Sequence, residues 1–194
     1  MPRILLLAIC CIFFFTAANG QRRSYKQPPT LGVHFIFNDF ESAAAIRSSS
    51  LSSVLKEHRF GKLKNMAQGL AISFGKGLSE TVDFYSTVAG SFLSYPFENR
   101  RPPGSDYLLV EADASVRAKL LSDKYFVVPY FQMGAGISKY QGYWATFIPI
   151  GIGIQVNFFD EAFLQFNSQY RVGVTEMAGY HFVHSIGLVG NLGE

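Results

Sequence analysis

The sequence has little cysteine, little charge and no long apolar run beyond its first twenty residues. Cysteine occurs only at Cys10 and Cys11, which excludes a disulfide framework or a cysteine-based metal site in the rest of the chain. Charged residues make up 16% of the 194 residues and the net charge is +3, whereas a nucleic-acid-binding domain carries a basic excess on one face. No stretch after residue 20 reaches the roughly 20 apolar residues of a membrane-spanning helix.

Aromatic residues and glycine are abundant instead. The chain contains 19 Phe, 10 Tyr and 18 Gly, and 48% of its residues are hydrophobic. Disordered chains are poor in aromatic residues, so this composition predicts a folded protein, and the length fits one domain.

Residues 1–20 have the pattern of a secretory signal peptide. A basic start at Arg3 precedes an apolar run over 4–15 and a group of small residues. The run is shorter than the roughly 20 residues of a membrane anchor. We therefore expect cleavage after residue 18 or 20, which leaves 21–194 as an exported barrel domain.

Hydrophobic and polar residues alternate along most of the remaining chain. Between 105 and 120, the even positions from Leu108 to Leu120 are apolar, and the odd positions from Glu111 to Lys119 are polar. A strand directs successive side chains to opposite faces, so a period of two predicts strands. Eight are predicted, at 30–38, 67–76, 81–93, 105–120, 125–138, 147–158, 161–172 and 180–192. They exceed the roughly 5–6 residues usual in soluble sheets and suffice to cross a bilayer, which takes roughly 9–11.

Two kinds of barrel have eight alternating strands. A soluble, lipocalin-like barrel turns its apolar face inward, and its wet outer face would carry many Lys and Glu. The polar face here is mostly Gly, Ser, Thr, Gln, Asn and Tyr, which suits the narrow lumen of an eight-stranded membrane barrel. We therefore predict an all-β fold, an eight-stranded antiparallel up-and-down transmembrane β-barrel. Aromatic residues near strand ends suit its interfacial girdles: Phe37, Phe92, Tyr125, Trp144, Phe147, Phe158 and Tyr180.

The predicted connections alternate in length. The joins at 77–79, 121–123 and 160 are short, and those at 39–66, 94–105, 139–146 and 173–179 are longer. Outer-membrane barrels have short periplasmic turns and long outer loops. An even number of strands then places both termini in the periplasm and the longer joins outside.

The chain resembles the N-terminal eight-stranded barrel of OmpA-type outer-membrane proteins. Three segments carry the resemblance: 31–40 (LGVHFIFNDF), 150–161 (IGIGIQVNFFDE) and 181–187 (HFVHSIG). It implies an integral outer-membrane protein of a Gram-negative bacterium, inserted by the barrel-assembly machinery among outer-membrane lipid and lipopolysaccharide. Many members continue into a periplasmic peptidoglycan-binding module. Because the sequence ends at Glu194, peptidoglycan tethering is not carried over.

Charged side chains on the polar face are predicted to lie in the lumen. Asp83, Glu111, Asp113, Arg117 and Arg171 all fall there, and isolated charges in a narrow barrel are costly unless they are paired. Glu111 and Arg171 lie towards the outer ends of strands four and seven, on nearly opposite sides of the ring. We therefore expect an ion pair across the lumen that blocks water and ions; pairing only between neighbouring strands is the alternative.

Candidate catalytic or metal chemistry is sparse. His34 and His181 fall on the lumen face of the first and last strands, where hydrogen bonding in a polar lumen is favoured over a metal or catalytic pair. His184-Ser185 is similar to the His/Ser site of lipid A deacylases. Adjacent residues of a strand face opposite ways, however, whereas a nucleophile and its base must share a surface. We predict no catalysis, no cofactor and no metal.

The 39–66 join is the longest connection, and its segment 41–47 predicts a short helix. Candidates for contact with lipopolysaccharide phosphates are Lys56, Arg59, Lys62 and Lys64, with Arg100 and Arg101 in the next long join. A solvated loop is the alternative, because Asp39, Glu41 and Glu57 dilute the positive charge.

The sequence thus predicts an outer-membrane barrel with a structural or surface-interaction role, a plugged lumen and a surface ligand at the 39–66 loop. A lipid-modifying barrel enzyme and a small pore are the alternatives.

Overall fold

A computed structural model describes residues 26–93, 108–159 and 161–193, and these form a closed antiparallel barrel. Its eight strands follow one another around the ring in chain order: β1 (Thr30–Asp39), β2 (Ala67–Gly77), β3 (Val82–Phe92), β4 (Leu108–Lys119), β5 (Val127–Tyr140), β6 (Tyr143–Phe159), β7 (Ala162–Gly173) and β8 (His181–Asn191). β8 pairs with β1 and closes the ring. The predicted eight-stranded up-and-down fold is confirmed; the predicted signal peptide lies outside the described residues.

The two ends of the barrel are called the terminal end and the loop end. At the terminal end, Thr30 of β1 pairs with Asn191 of β8. At the loop end, Asp39 pairs with Phe182. The long β1–β2 connection leaves from the loop end.

The β1–β2 connection is structured rather than a simple loop. It contains helix α1 (Phe40–Ser48), helix α2 (Leu51–Lys56) and one 3-10 turn (Leu63–Asn65). Asp39 caps α1, because its carboxylate accepts a 2.8 Å hydrogen bond from the Ser42 N–H. Within the described ranges, no helix combines the length and the hydropathy needed to cross a membrane.

The wall of the barrel has its apolar side chains outside. On β6, Ile154 is 44% exposed, whereas the next side chain, Gln155, points inward and is 2% exposed. The same alternation leaves large apolar residues on the outer face of other strands, including Val33, Phe35, Ile72, Val88, Val116, Phe131, Met133 and Leu188. This polarity is the reverse of a lipocalin-like barrel, whose apolar face points inward.

The connection between β5 and β6 is shorter than predicted. A long join was expected over 139–146, but the two strands continue to Tyr140 and Tyr143 and pair there. Gln141 and Gly142 make the turn with φ of 51° and 81°. Positive φ at both central residues is typical of the hairpin turn whose twist matches that of the strands, so a tight turn replaces the loop.

Close packing inside the barrel depends on glycine at facing positions. Gly187 on β8 lies against the imidazole of His34, and Gly153 on β6 lies against the ring of Tyr130. A β-carbon at either position would overlap the ring. Glycine at these two positions therefore makes room for the inward-facing side chains of His34 and Tyr130.

Candidate functional site

The lumen near the loop end contains a buried ion-pair network centred on Arg171. Its guanidinium contacts the Glu111 carboxylate from across the barrel, and one nitrogen lies 3.3 Å from Asp113 Oδ2. His181 Nε2 lies 3.4 Å from Glu111 Oε1, and its Nδ1 lies 2.9 Å from the Gly179 carbonyl oxygen. The structure thus joins β4 to β7 across the lumen and not only through neighbouring strands.

An aromatic side chain packs against the Arg171 guanidinium of this network. Phe147 is 2% exposed, and the Arg171 guanidinium carbon lies 4.6 Å from the centre of its ring. The expectation that Phe147 belongs to an interfacial girdle is therefore wrong. Its odd position on β6 turns it inward, whereas Trp144, at an even position, is 63% exposed.

Arg117 occupies the middle of the lumen and is held without a carboxylate partner among the described residues. Its guanidinium carbon lies 3.2 Å from the centre of the Tyr85 ring and 4.7 Å from that of Tyr130. Its Nε donates a 2.9 Å hydrogen bond to Gln132, which in turn donates to Ser115 at 2.7 Å. Two aromatic faces and the Gln132 amide oxygen replace the ion pair that was expected for Arg117.

A second ion-pair cluster fills the terminal end. Lys119 Nζ lies 2.9 Å from Asp83 Oδ1 and 2.5 Å from Asp123 Oδ2. Gln155 and Asn157 add hydrogen bonds to Asp123. The sequence interpretation placed Lys119 on the polar face without assigning it a role. It missed Asp123, which lies outside any strand.

Little space remains between these layers. A small cavity of about 20 Å³ in the lumen is lined by Arg117, Gln165 and Arg171 among others. A single water molecule needs roughly 10–15 Å³, so the cavity holds about one. At this level of the lumen, side chains occupy most of the space.

The two lumen histidines do not meet. His34 Nε2 lies 2.6 Å from Ser73 Oγ on the adjacent strand. His34 pairs with Gly187 in the strand register, six residues along β8 from His181, and that separation corresponds to about 20 Å of strand. Within the described part of the chain, no three His, Asp or Glu side chains are arranged to hold a metal ion.

The first residue of α1 closes the loop end. The Phe40 ring stacks on His181 with centroids 4.2 Å apart and an interplanar angle of 17°. Phe40 also joins a buried cluster with Leu93, Leu109 and Tyr140. The β1–β2 connection is therefore anchored to the lumen network through one aromatic stack.

On the outer wall, His184 has a partner other than the adjacent serine. His184 and Ser185 point to opposite faces, as alternation requires, and Ser185 lines the small lumen cavity. Across the β7–β8 pair, Ser168 Oγ lies 3.0 Å from His184 Nδ1. Phe60 packs edge-on against Phe182 and His184, with ring centroids 5.5 Å and 6.2 Å away.

Most of the predicted basic residues are exposed on the β1–β2 connection. Lys56, Lys62 and Lys64 are solvent-exposed, and Arg59 pairs with Glu57 at 2.7 Å. Arg100 and Arg101 lie outside the described residues. The sequence interpretation missed the placement of Arg47, whose guanidinium carbon lies 4.1 Å from the centre of the Tyr180 ring.

Comparisons with known proteins identify the fold. No family model matches the sequence, and no curated protein matches it. The N-terminal β-barrel domain of Pseudomonas aeruginosa OprF is 11% identical with a TM-score of 0.53, over 85% of this chain and 98% of that one. Neisserial surface protein A is 14% identical with a TM-score of 0.53, over 86% and 99%. Ail, the attachment invasion locus protein of Yersinia pestis, is 9% identical with a TM-score of 0.48, over 84% and 97%.

The chain has the fold of the OmpA-type eight-stranded barrels. The OprF domain and Neisserial surface protein A are matched over nearly their whole lengths. The sequence resemblance is limited to three short segments. The structural similarity covers the complete ring of strands.

Replacing Arg171 tests the energetics of the lumen network. Arg171→Met leaves two buried carboxylates without their cation, so we expect a loss of about 3–5 kcal/mol in the free energy of unfolding. The measurement is urea unfolding of the purified protein. Arg59→Met, which breaks an exposed ion pair, serves as the control and should cost about 1 kcal/mol or less. Equal losses in the two variants would contradict a structural role for the lumen network.

Proposed function

We propose that this protein is an integral outer-membrane barrel of a Gram-negative bacterium with a structural or surface-interaction role. The observation that carries the proposal is the reversed polarity of the wall, with Ile152 at 59% exposure on the outside and Gln165 at 1% inside. An apolar outer band is stable in hydrocarbon but not in water. The packed, polar interior supports a barrel that serves as a membrane element.

The proposed orientation has both termini in the periplasm and the loop end outside the cell. The support is the length of the connections, since the helical β1–β2 connection leaves from the loop end. Short turns face the periplasm in outer-membrane barrels, and long loops face outward. Insertion by the barrel-assembly machinery follows from the same proposal.

A surface role is assigned to the β1–β2 connection. It exposes Lys56, Lys62 and Lys64 beside large apolar side chains, with Leu55 51% and Leu63 65% exposed. The cations can pair with the phosphates of lipopolysaccharide, and the neighbouring apolar groups can contact its acyl chains. The same surface is the proposed place for a further ligand.

The proposal includes no transport and no catalysis. Buried ion pairs at both ends and the Arg117 layer between them support a sealed lumen rather than a pore. Ser168 and His184 share a surface, but they lie inside paired strands. Backbone N–H groups there are used in the ladder, so the site lacks the free donors that an acyl-transfer oxyanion requires.

Fractionation tests the proposed location. We expect the protein in the outer-membrane fraction, migrating differently on gels when unheated and when boiled, because a closed barrel resists detergent until it is heated. Recovery as a soluble periplasmic protein with no mobility shift would refute a membrane barrel.

Conductance tests the sealed lumen. In planar bilayers the unmodified protein should show no large, stable channel, because ion pairs and aromatic side chains obstruct the lumen. Glu111→Ala and Arg171→Ala should raise conductance, whereas Arg59→Ala, in the exposed connection, should not. A large open channel in the unmodified protein would refute the seal and favour the small-pore alternative.

A further inference from the structure

A polar pair lies among apolar neighbours on the part of the outer wall that the structure describes. Ser168 and His184 both face outward and lie 3.0 Å apart across the β7–β8 pair. Phe166 and Ile186, the next outward residues towards the terminal end, are exposed hydrophobic side chains. Polar groups on a hydrocarbon-facing surface are costly unless they are paired. Each of the two groups meets part of this cost by pairing with the other.

The pair satisfies only part of its own hydrogen-bonding capacity. The single contact joins Ser168 Oγ to His184 Nδ1. His184 Nε2 is buried and has no hydrogen-bond partner among the described residues. When Nδ1 carries the ring proton and donates it to Ser168 Oγ, the Ser168 hydroxyl proton is available to an added oxygen atom.

An apolar groove leads to this pair. It has a volume of about 610 Å³, and its lining includes Phe131, Ile152, Phe166, Ser168 and His184. The strand register explains its shape, because Phe131 pairs with Ile152, Ile152 with Ser168, and Ser168 with His184. The groove therefore begins at this row and extends towards the terminal end to Ile154 and Phe166, with the polar pair on its loop-end side.

The type of outward-facing side chain changes step by step from the groove towards the loop end. Beyond Ser168 on β7 comes Tyr170, whose ring lies 4.8 Å from that of Phe182 and 6.2 Å from that of Tyr180. Arg47 of α1 covers Tyr180 and makes no ion pair within the described ranges. The order is apolar groove, hydrogen-bonding pair, aromatic residues and cation.

We propose that this wall is a binding site for one anionic, acylated membrane lipid. The acyl chain occupies the groove, an ester or hydroxyl oxygen near its head end accepts a hydrogen bond from the Ser168–His184 pair, and the phosphate lies at Arg47. The order of groups along the wall matches the order of groups along such a lipid. The inference rests on the proposed membrane location and adds a defined lipid site to it.

Photo-crosslinking in vesicles of zwitterionic phosphatidylcholine tests this site. A tracer of phosphatidylglycerol with a photoactivatable acyl chain is added, and the labelled peptides are mapped by mass spectrometry. We expect labelling of β5–β7 around Phe131, Ile152 and Phe166 to exceed labelling of the β2–β4 wall several-fold. Bulk lipid alone would label both walls alike.

Two variants and one matched control link the labelling to the named side chains. Ser168→Val removes the hydroxyl and Arg47→Gln removes an exposed cation, so each should reduce labelling of the groove several-fold. Ser86→Val alters another outward-facing serine, on β3, and should leave the groove labelling unchanged. The heat-dependent gel shift of each variant verifies that the barrel is folded.

The possible results distinguish the lipid site from the membrane location on which it rests. Even labelling around the ring, or groove labelling that neither variant reduces, overturns the lipid site while leaving the membrane barrel intact. An unlabelled groove, together with a bifunctional protein crosslinker that joins this wall to a second copy of the chain, overturns it in favour of self-association. Absence of the protein from the vesicles, with no gel shift, overturns the membrane location and the lipid site with it.

Discussion

The width of an eight-stranded ring is the constraint on which the rest of this structure depends. Such a barrel leaves an interior only wide enough for side chains, so whatever points inward must fit and must be satisfied by its neighbours. Arg171 meets Glu111 from across the lumen, and Lys119 lies between Asp83 and Asp123. Charges can occupy this interior because each ion-pair cluster is compact and buried among polar side chains.

The same constraint determines the outer wall and the loop end. The narrow interior holds polar side chains and only small apolar clusters, so most of the large aliphatic residues of the wall are directed outward. At the loop end, the α1 residue Phe40 stacks on His181 and so attaches the β1–β2 connection to the lumen network. The connection is thereby positioned over the β8 side of the wall, where Phe60 and Arg47 also pack.

Alternation and strand order were sufficient to predict much of this arrangement. The even position of Ile152 predicts that it faces outward, and the odd position of Gln155 predicts that it faces the lumen. The positions of Glu111 on strand four and Arg171 on strand seven predict that the two side chains meet across the lumen. Local pattern could not predict contacts made by residues outside strands, such as Asp123, or by a helix packed on the wall, such as Arg47. The Gln141-Gly142 turn was missed because the alternation before 147 was interpreted as part of a loop.

The most direct test of the account asks which medium surrounds the outer wall. A fluorophore attached at Ile152→Cys should be quenched by lipids that carry a quencher on the acyl chain and protected from aqueous iodide. A fluorophore at Ser52→Cys, an exposed position on helix α2, serves as the comparison and should show the opposite preference. Quenching of the Ile152 probe by iodide but not by lipid would contradict the account, because the apolar wall would then face water.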